Sequence, residues 1–181
     1  MFLATSQLRR WSASSLILYV CNQTILEIPL GNGAKIGGSV KPPGGTRPYS
    51  ILVVEDNESD VFLLEKALEG QDLDVQLTHL RNGSAALAFI RREGPYADMP
   101  RPDLILVNMN LPDVDGEEIF HQIRDARHLN GVPVCVWSSS EFDGQSASRL
   151  GADEFILKRS GLKQFMQIGK TVKDLVSRFV S

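Results

Sequence analysis

Cysteine is scarce in this chain of 181 residues: there are two, Cys21 and Cys135, in unrelated contexts and without metal-ligand spacing. Two isolated thiols argue against a disulfide framework, and the simplest setting for them is reduced and cytoplasmic. Long apolar runs are missing too. None approaches the roughly 18 residues that a membrane span needs. The net charge is −3, so no global basic excess points to nucleic acid. Histidine is rare, and His79, His121 and His128 do not gather beside an acidic pair. His121 and His128, seven apart on one expected helical face, read as an exposed polar face, because a second pair of metal ligands is missing. No nucleophile–base pair is evident either, so the chain does not read as an enzyme.

The charge that is present is unevenly spread. Residues 1–48 hold Arg9, Arg10, Lys35, Lys41 and Arg47 against Glu27 alone, a net +4, which leaves −7 on the remainder. Arg9-Arg10 ahead of the apolar stretch Leu16 to Cys21 has the order of a secretory signal. The stretch is short, however, and no small-residue cleavage site follows it. The twin arginine is followed by Trp11-Ser12-Ala13, which makes an export address weaker still. Glycine and proline then crowd residues 31–45, a composition that cannot bury enough surface to offset its ordering entropy. Residues 1–48 are therefore expected to be a flexible, disordered basic extension, with residues 49–181 as the folded domain. Contact of the arm with anionic lipid or nucleic acid is the weaker alternative.

From Tyr49 the pattern becomes regular. Ile51 to Val54 and Leu104 to Val107 are apolar runs bounded by polar residues, which fits strands buried on both faces. Further strands are expected over 74–80, 132–137 and 154–157. Helices are expected from Asn57 to about Gly70, over 85–92, 117–127, 142–150 and 162–179. Five strands alternating with five helices imply an α/β fold, a parallel sheet covered on both faces. In such sheets the functional crevice lies outside the carboxyl ends of the strands.

Those ends carry Glu55-Asp56, Asn108, Ser138 and Lys158. Two adjacent carboxylates form a hard oxygen site suited to Mg²⁺. A lysine and a hydroxyl opposite them suit the oxygens of a phosphoryl group. Singly, each has a plainer explanation: the acidic pair as charge at a helix N-terminus, Ser138 as a turn residue, Lys158 as a surface lysine. Their joint placement at four strand ends is what points to a site.

Residues 50–180 resemble the receiver domain of bacterial response regulators. The resemblance rests on ILVVEDNESD, PDLILVNMNLPDVDG, PVCVWSSSE and GADEFILK, each weak alone and specific together. The segment around 88–107 further resembles small stand-alone receivers that partner phytochrome-like sensor kinases. The resemblance implies a flavodoxin-like, doubly wound, five-stranded parallel sheet in the order 2-1-3-4-5. It implies a Mg²⁺ site from Glu55, Asp56 and the backbone carbonyl of Asn110, a switch hydroxyl at Ser138, a phosphate-pairing Lys158 and a switch aromatic at Phe155. It also implies a sensor histidine kinase or other signalling partner on the face of the last two helices and the fifth strand, and it allows a homodimer. The chain stops after its fifth helix, and its folded part is acidic, so no DNA-binding domain is expected.

Two positions depart from the family. Asn108 stands where the resemblance places the phosphoacceptor aspartate. An amide oxygen is a far poorer nucleophile than a carboxylate, and the loss of a negative charge should weaken Mg²⁺ binding. Val107 and Met109 cannot substitute, and Asp113 and Asp115 are expected to lie too far away. Arg159 stands where the family has proline, so the bond after Lys158 is expected to be trans. These departures favour a phosphorylation-independent interaction module. The alternative is a conventional phosphorelay regulator represented by a non-phosphorylatable variant.

Overall fold

The computed structural model describes residues 15–20, 24–29, 47–71, 73–158 and 162–179. The chain divides into two units, Met1–Gly45 and Thr46–Ser181. Within the first, Ser15–Val20 and Thr24–Pro29 pair as an antiparallel ribbon, Ser15 opposite Pro29 and Val20 opposite Thr24. The sequence reading of a flexible extension rested on the glycine and proline of residues 31–45, which lie outside the described residues. It did not weigh Ile17, Val20, Thr24, Ile25 and Ile28, whose branched side chains favour strands.

In the second unit the strands are β1 (Tyr49–Val54), β2 (Val75–Leu80), β3 (Leu104–Val107), β4 (Val134–Ser138) and β5 (Glu154–Leu157). All pair in parallel, in the order β2-β1-β3-β4-β5. The helices are α1 (Glu58–Glu69), α2 (Gly83–Ile90), α3 (Gly116–Asp125), α4 (Asp143–Leu150) and α5 (Leu162–Phe179). The flavodoxin-like topology implied by the resemblance is the one present. No helix among the described residues is long and apolar enough to cross a membrane.

Alternation along each strand splits the core in two. Leu52, Val54, Ile105, Val107, Val134 and Val136 face α2, α3 and α4, meeting Phe89, Ile119, Phe120 and Ala147. Ile51, Val53, Leu104, Leu106, Cys135 and Trp137 face α1 and α5, meeting Leu64, Leu68, Val172 and Val176. Each large side chain taken out of water contributes about 1.5–3 kcal/mol, so both helical layers are held independently. Burial pushes the Cys135 thiol up to about 12, which makes it an inert core residue. At the lower edge of the sheet, Arg47 donates two hydrogen bonds of 2.6 Å to the buried Asp103 carboxylate, which also accepts from Ser50 N–H at 2.8 Å. Arg47, counted with the arm by composition, is thus tied to the folded unit.

The helix starts follow the polar residues that precede them. Asn57, Asn82 and Asp115 each accept from a backbone N–H of the first turn. One expected helix is shorter than its pattern. α3 stops at Asp125, Ala126 is extended, and a 3₁₀ turn follows over Arg127–Leu129. His121 and His128 therefore do not share a helical face. His121 is exposed, whereas burial, with Arg92 nearby, holds His128 below the usual imidazole range.

Helices α1 and α5 cross closely at Gly169, where an added Cβ would lie 2.2 Å from the Ala67 carbonyl oxygen. Backbone cannot yield as a side-chain tip can. Gly169→Ala should therefore destabilise the domain by about 1–3 kcal/mol. Urea unfolding checks this, and an unchanged midpoint would contradict the close crossing.

Candidate functional site

Parallel strands deliver their carboxyl ends to one edge, and four of the expected residues meet there. Glu55 follows β1, Asn108 follows β3, Ser138 ends β4 and Lys158 follows β5. Register holds them: Asn108 N–H donates to Val54 C=O at 2.9 Å, and Lys158 N–H to Ser138 C=O at 2.7 Å. Gly116 closes the loop from Met109 onto α3. An added Cβ there would meet Met109 Cα at 2.5 Å, so the chain around Asn108 depends on glycine at 116.

Glu55 is fully buried. One of its carboxylate oxygens accepts from Lys158 Nζ; the other accepts from Asn57 N–H at 3.1 Å and from Asn108 Nδ2 at 3.2 Å. Its backbone carbonyl accepts from His79 Nε2 at 2.7 Å, which places a proton on that nitrogen. Burial pushes the Glu55 carboxyl above the usual carboxylate range, against the pull of Lys158 and Asn57 N–H. Lys158 also reaches Asp60 at 3.1 Å and lies 4.6 Å from the Trp137 ring centre, with 7 % of its side chain exposed. The sequence placed Lys158 across the site from the acidic pair. The structure pairs it with one member of that pair.

Asn108 is 6 % exposed. Its Nδ2 donates to Glu55 Oε1 at 3.2 Å, Asp56 Oδ1 at 3.1 Å and the Asn110 carbonyl at 3.3 Å. Its Oδ1 accepts from Asn110 N–H at 3.2 Å. The three oxygens expected to hold a cation do converge, and as hard donors they suit Mg²⁺. They converge on an amide nitrogen. In this arrangement a proton donor stands where a cation would have to sit.

Ser138 is buried and donates to Asp143 Oδ2, which also accepts from Asn110 Nδ2 at 3.0 Å. Asp143 opens α4 shortly after the serine turn, yet sequence reasoning included neither it nor Asp60, and it set His79 apart from the acidic pair, which the bond from His79 Nε2 to the Glu55 carbonyl contradicts. Asp60 was legible in principle, since it lies one turn into a helix that starts at the site. Phe155 is half-buried on β5 with its ring against Gly144 of α4, and shares no hydrogen bond with the pocket. The expected trans bond at Arg159 lies outside the described residues. Asp113 and Asp115 are engaged elsewhere: Asp115 caps α3, and Asp113 accepts from Gly83 N–H, Ser84 N–H and Ser84 Oγ. An open cleft of about 690 Å³ beside the pocket is lined by Asp56, Asn110, Asp115, Glu117, Asp143 and neighbours, so its charge is negative.

The family model described as the response regulator receiver domain matches residues 51–169. The chain belongs to the response regulator receiver family. Among its relatives, response regulator Rcp1 of Synechocystis sp. is 36% identical over 123 residues, covering 67% of this chain and 84% of Rcp1. The crystal structure of the phosphorylated cyanobacterial phytochrome response regulator RcpA superposes with a TM-score of 0.66 at 35% identity, covering 75% of this chain and 96% of that one. The Mn²⁺-bound form of Rcp1 gives a TM-score of 0.64 at 34% identity, covering 70% and 93%. This receiver is thus a response-regulator module of two-component signalling, a class that in general signals rather than catalyses.

Hydrogen bonds from Ser84 Oγ, Ser84 N–H and Gly83 N–H hold Asp113 down at about 2, from an ordinary 3.8. A carboxyl lowered on folding adds stability that is complete above its unfolded value and disappears as pH falls through its folded value. A carbon-13 titration of Asp113 should have its midpoint near 2, and Ser84→Ala should move it toward 3.8.

Proposed function

We propose that this chain is a receiver-domain response regulator that works without phosphorylation, because Asn108 stands at the phosphoacceptor position. The observation that carries this reading is the amide at the centre of the pocket, held on both sides: its nitrogen by Glu55, Asp56 and the Asn110 carbonyl, its oxygen by Asn110 N–H. Its oxygen is neutral and already accepts a hydrogen bond, so it is a poor nucleophile toward a phosphoryl donor. No neighbour replaces it. Asp113 and Asp115 serve the starts of α2 and α3, and the negative cleft repels an anionic donor.

Roles follow from the same placement. Glu55, Asp56 and the Asn110 carbonyl form the family's cation site, and any Mg²⁺ has to displace the Asn108 amide, so its hold is weak. Ser138, Lys158 and Phe155 are the switch residues, with Ser138 and Lys158 committed to Asp143 and Glu55 rather than to a phosphoryl group. The partner is a sensor histidine kinase or another signalling protein of the cytoplasm, met on the α4-β5-α5 face, where Phe142 is 85% exposed; a homodimer through that face belongs to the same reading. Support for a kinase comes from the names of the relatives, three of which are phytochrome or bacteriophytochrome response regulators.

A second reading is a conventional phosphorelay regulator in which only position 108 has changed. Retention of Glu55, Asp56, Ser138 and Lys158 at one edge favours it. Incubation with a small acyl phosphate and Mg²⁺, followed by intact mass, separates the two. The native chain should gain no phosphoryl group; a stable adduct on it would sink the proposal. Ready phosphorylation of Asn108→Asp would show that the remaining machinery is intact and support the second reading.

A further inference from the structure

We infer that the Asn108 amide group is a built-in replacement for the divalent cation, so that this receiver holds its acidic pocket together without metal. The inference concerns the cation, and it stands whether or not any residue accepts a phosphoryl group.

The geometry is that of a substituted ligand set. Three oxygens from two stretches of the chain point at one atom: Glu55 Oε1 after β1, Asp56 Oδ1 beside it, and the Asn110 carbonyl after β3, at 3.2, 3.1 and 3.3 Å from Asn108 Nδ2. A metal ion would draw the same oxygens to about 2.0–2.1 Å. Here they stand at hydrogen-bond length around a nitrogen with two protons. The amide cannot be turned the other way. Turning it would set Asn108 Oδ1 against two carboxylates and a carbonyl, and would lose the 3.2 Å bond it accepts from Asn110 N–H. An aspartate at 108 would face Glu55 and Asp56 with a third carboxylate and need a cation between them. The asparagine removes one negative charge and supplies the donor in a single step.

The remaining charge is met by protein as well. Glu55 is fully buried, and its second oxygen is paired with Lys158, which also contacts Asp60. Asp56 is exposed, so water completes its solvation. Among the described residues no three acidic, histidine or cysteine side chains are disposed to hold a metal ion.

The inference reverses an ordinary expectation. Counted as a ligand, the Asn108 oxygen should help to bind a cation, and Asn108→Ala should weaken binding. Counted as the occupant, the amide competes, and Asn108→Ala should strengthen it. The full-length protein and its Asn108→Ala and Asn108→Asp variants are titrated with Mn²⁺ by electron paramagnetic resonance. Losing the charge-assisted hydrogen bonds should tighten Mn²⁺ binding in Asn108→Ala by about ten- to a hundred-fold over the native chain. Adding Asp56→Asn to Asn108→Ala should abolish the gain. In thermal unfolding, the native midpoint should be the same in Mg²⁺ and in chelator, whereas Asn108→Asp should unfold earlier in chelator and recover with Mg²⁺. An alanine variant that binds Mn²⁺ no tighter than the native chain, a gain that survives Asp56→Asn, or a native midpoint that rises with Mg²⁺ would each overturn the inference. Should the alanine variant not fold, the midpoints of the native chain and of Asn108→Asp decide alone.

Discussion

A carboxylate with no exposed surface, Glu55, sets the terms for the whole upper edge of this domain. Burying a charge is costly unless it is paired and hydrogen-bonded. Each neighbour of Glu55 answers part of that cost. Lys158 brings the opposite charge from β5, Asn57 brings a backbone N–H from the start of α1, and Asn108 brings an amide from β3. The sheet order makes this possible, because β1 lies beside β3 and β5 closes the same edge by way of β4. Removing any one donor would leave the buried charge underserved. The pocket is therefore a single cooperative network, not a set of separate residues.

That network explains why Lys158 and Ser138 are committed inward. Lys158 is 7 % exposed and held between Glu55, Asp60 and the Trp137 ring. Ser138 gives its hydroxyl to Asp143 at the start of α4, and Asn110 gives its amide to the same carboxylate. Those contacts tie β4 to α4 through a carboxylate that is part of the chain. A group arriving from outside would have to break charge-assisted bonds at both ends, each about 1.5–3 kcal/mol.

Much of this was legible in the sequence, for a physical reason. Buried parallel strands write themselves as apolar runs, and Ile51–Val54 and Leu104–Val107 are present where those runs lie. Once the sheet is known to be parallel, the meeting of Glu55, Asn108, Ser138 and Lys158 follows from topology alone. What pairing they adopt does not follow. Whether Lys158 reaches toward a free space or toward Glu55 depends on rotamers and burial, which periodicity does not encode. Asp143 was hidden because a carboxylate in a first helical turn already has an ordinary explanation in the helix dipole. His128 was misplaced because the run from 117 to 127 continues in helical period past Ala126, where the backbone becomes extended, whereas His121 is exposed on α3 as expected.

On the proposed reading of position 108, one side chain ties two properties that are usually discussed apart. A carboxylate there would be a third negative charge beside Glu55 and Asp56 and, on that reading, the nucleophile. An amide of nearly the same shape is neither. Its NH₂ lies 3.1–3.3 Å from Glu55 Oε1, Asp56 Oδ1 and the Asn110 carbonyl, so the proposed loss of reactivity and the inferred loss of metal dependence would come from one group. Asn108 follows β3, and Gly116 closes the following loop against Met109. On the proposed reading, the receiver fold is kept while the amide takes over the centre of its pocket, so the surface offered to partners would not depend on what occupies that pocket.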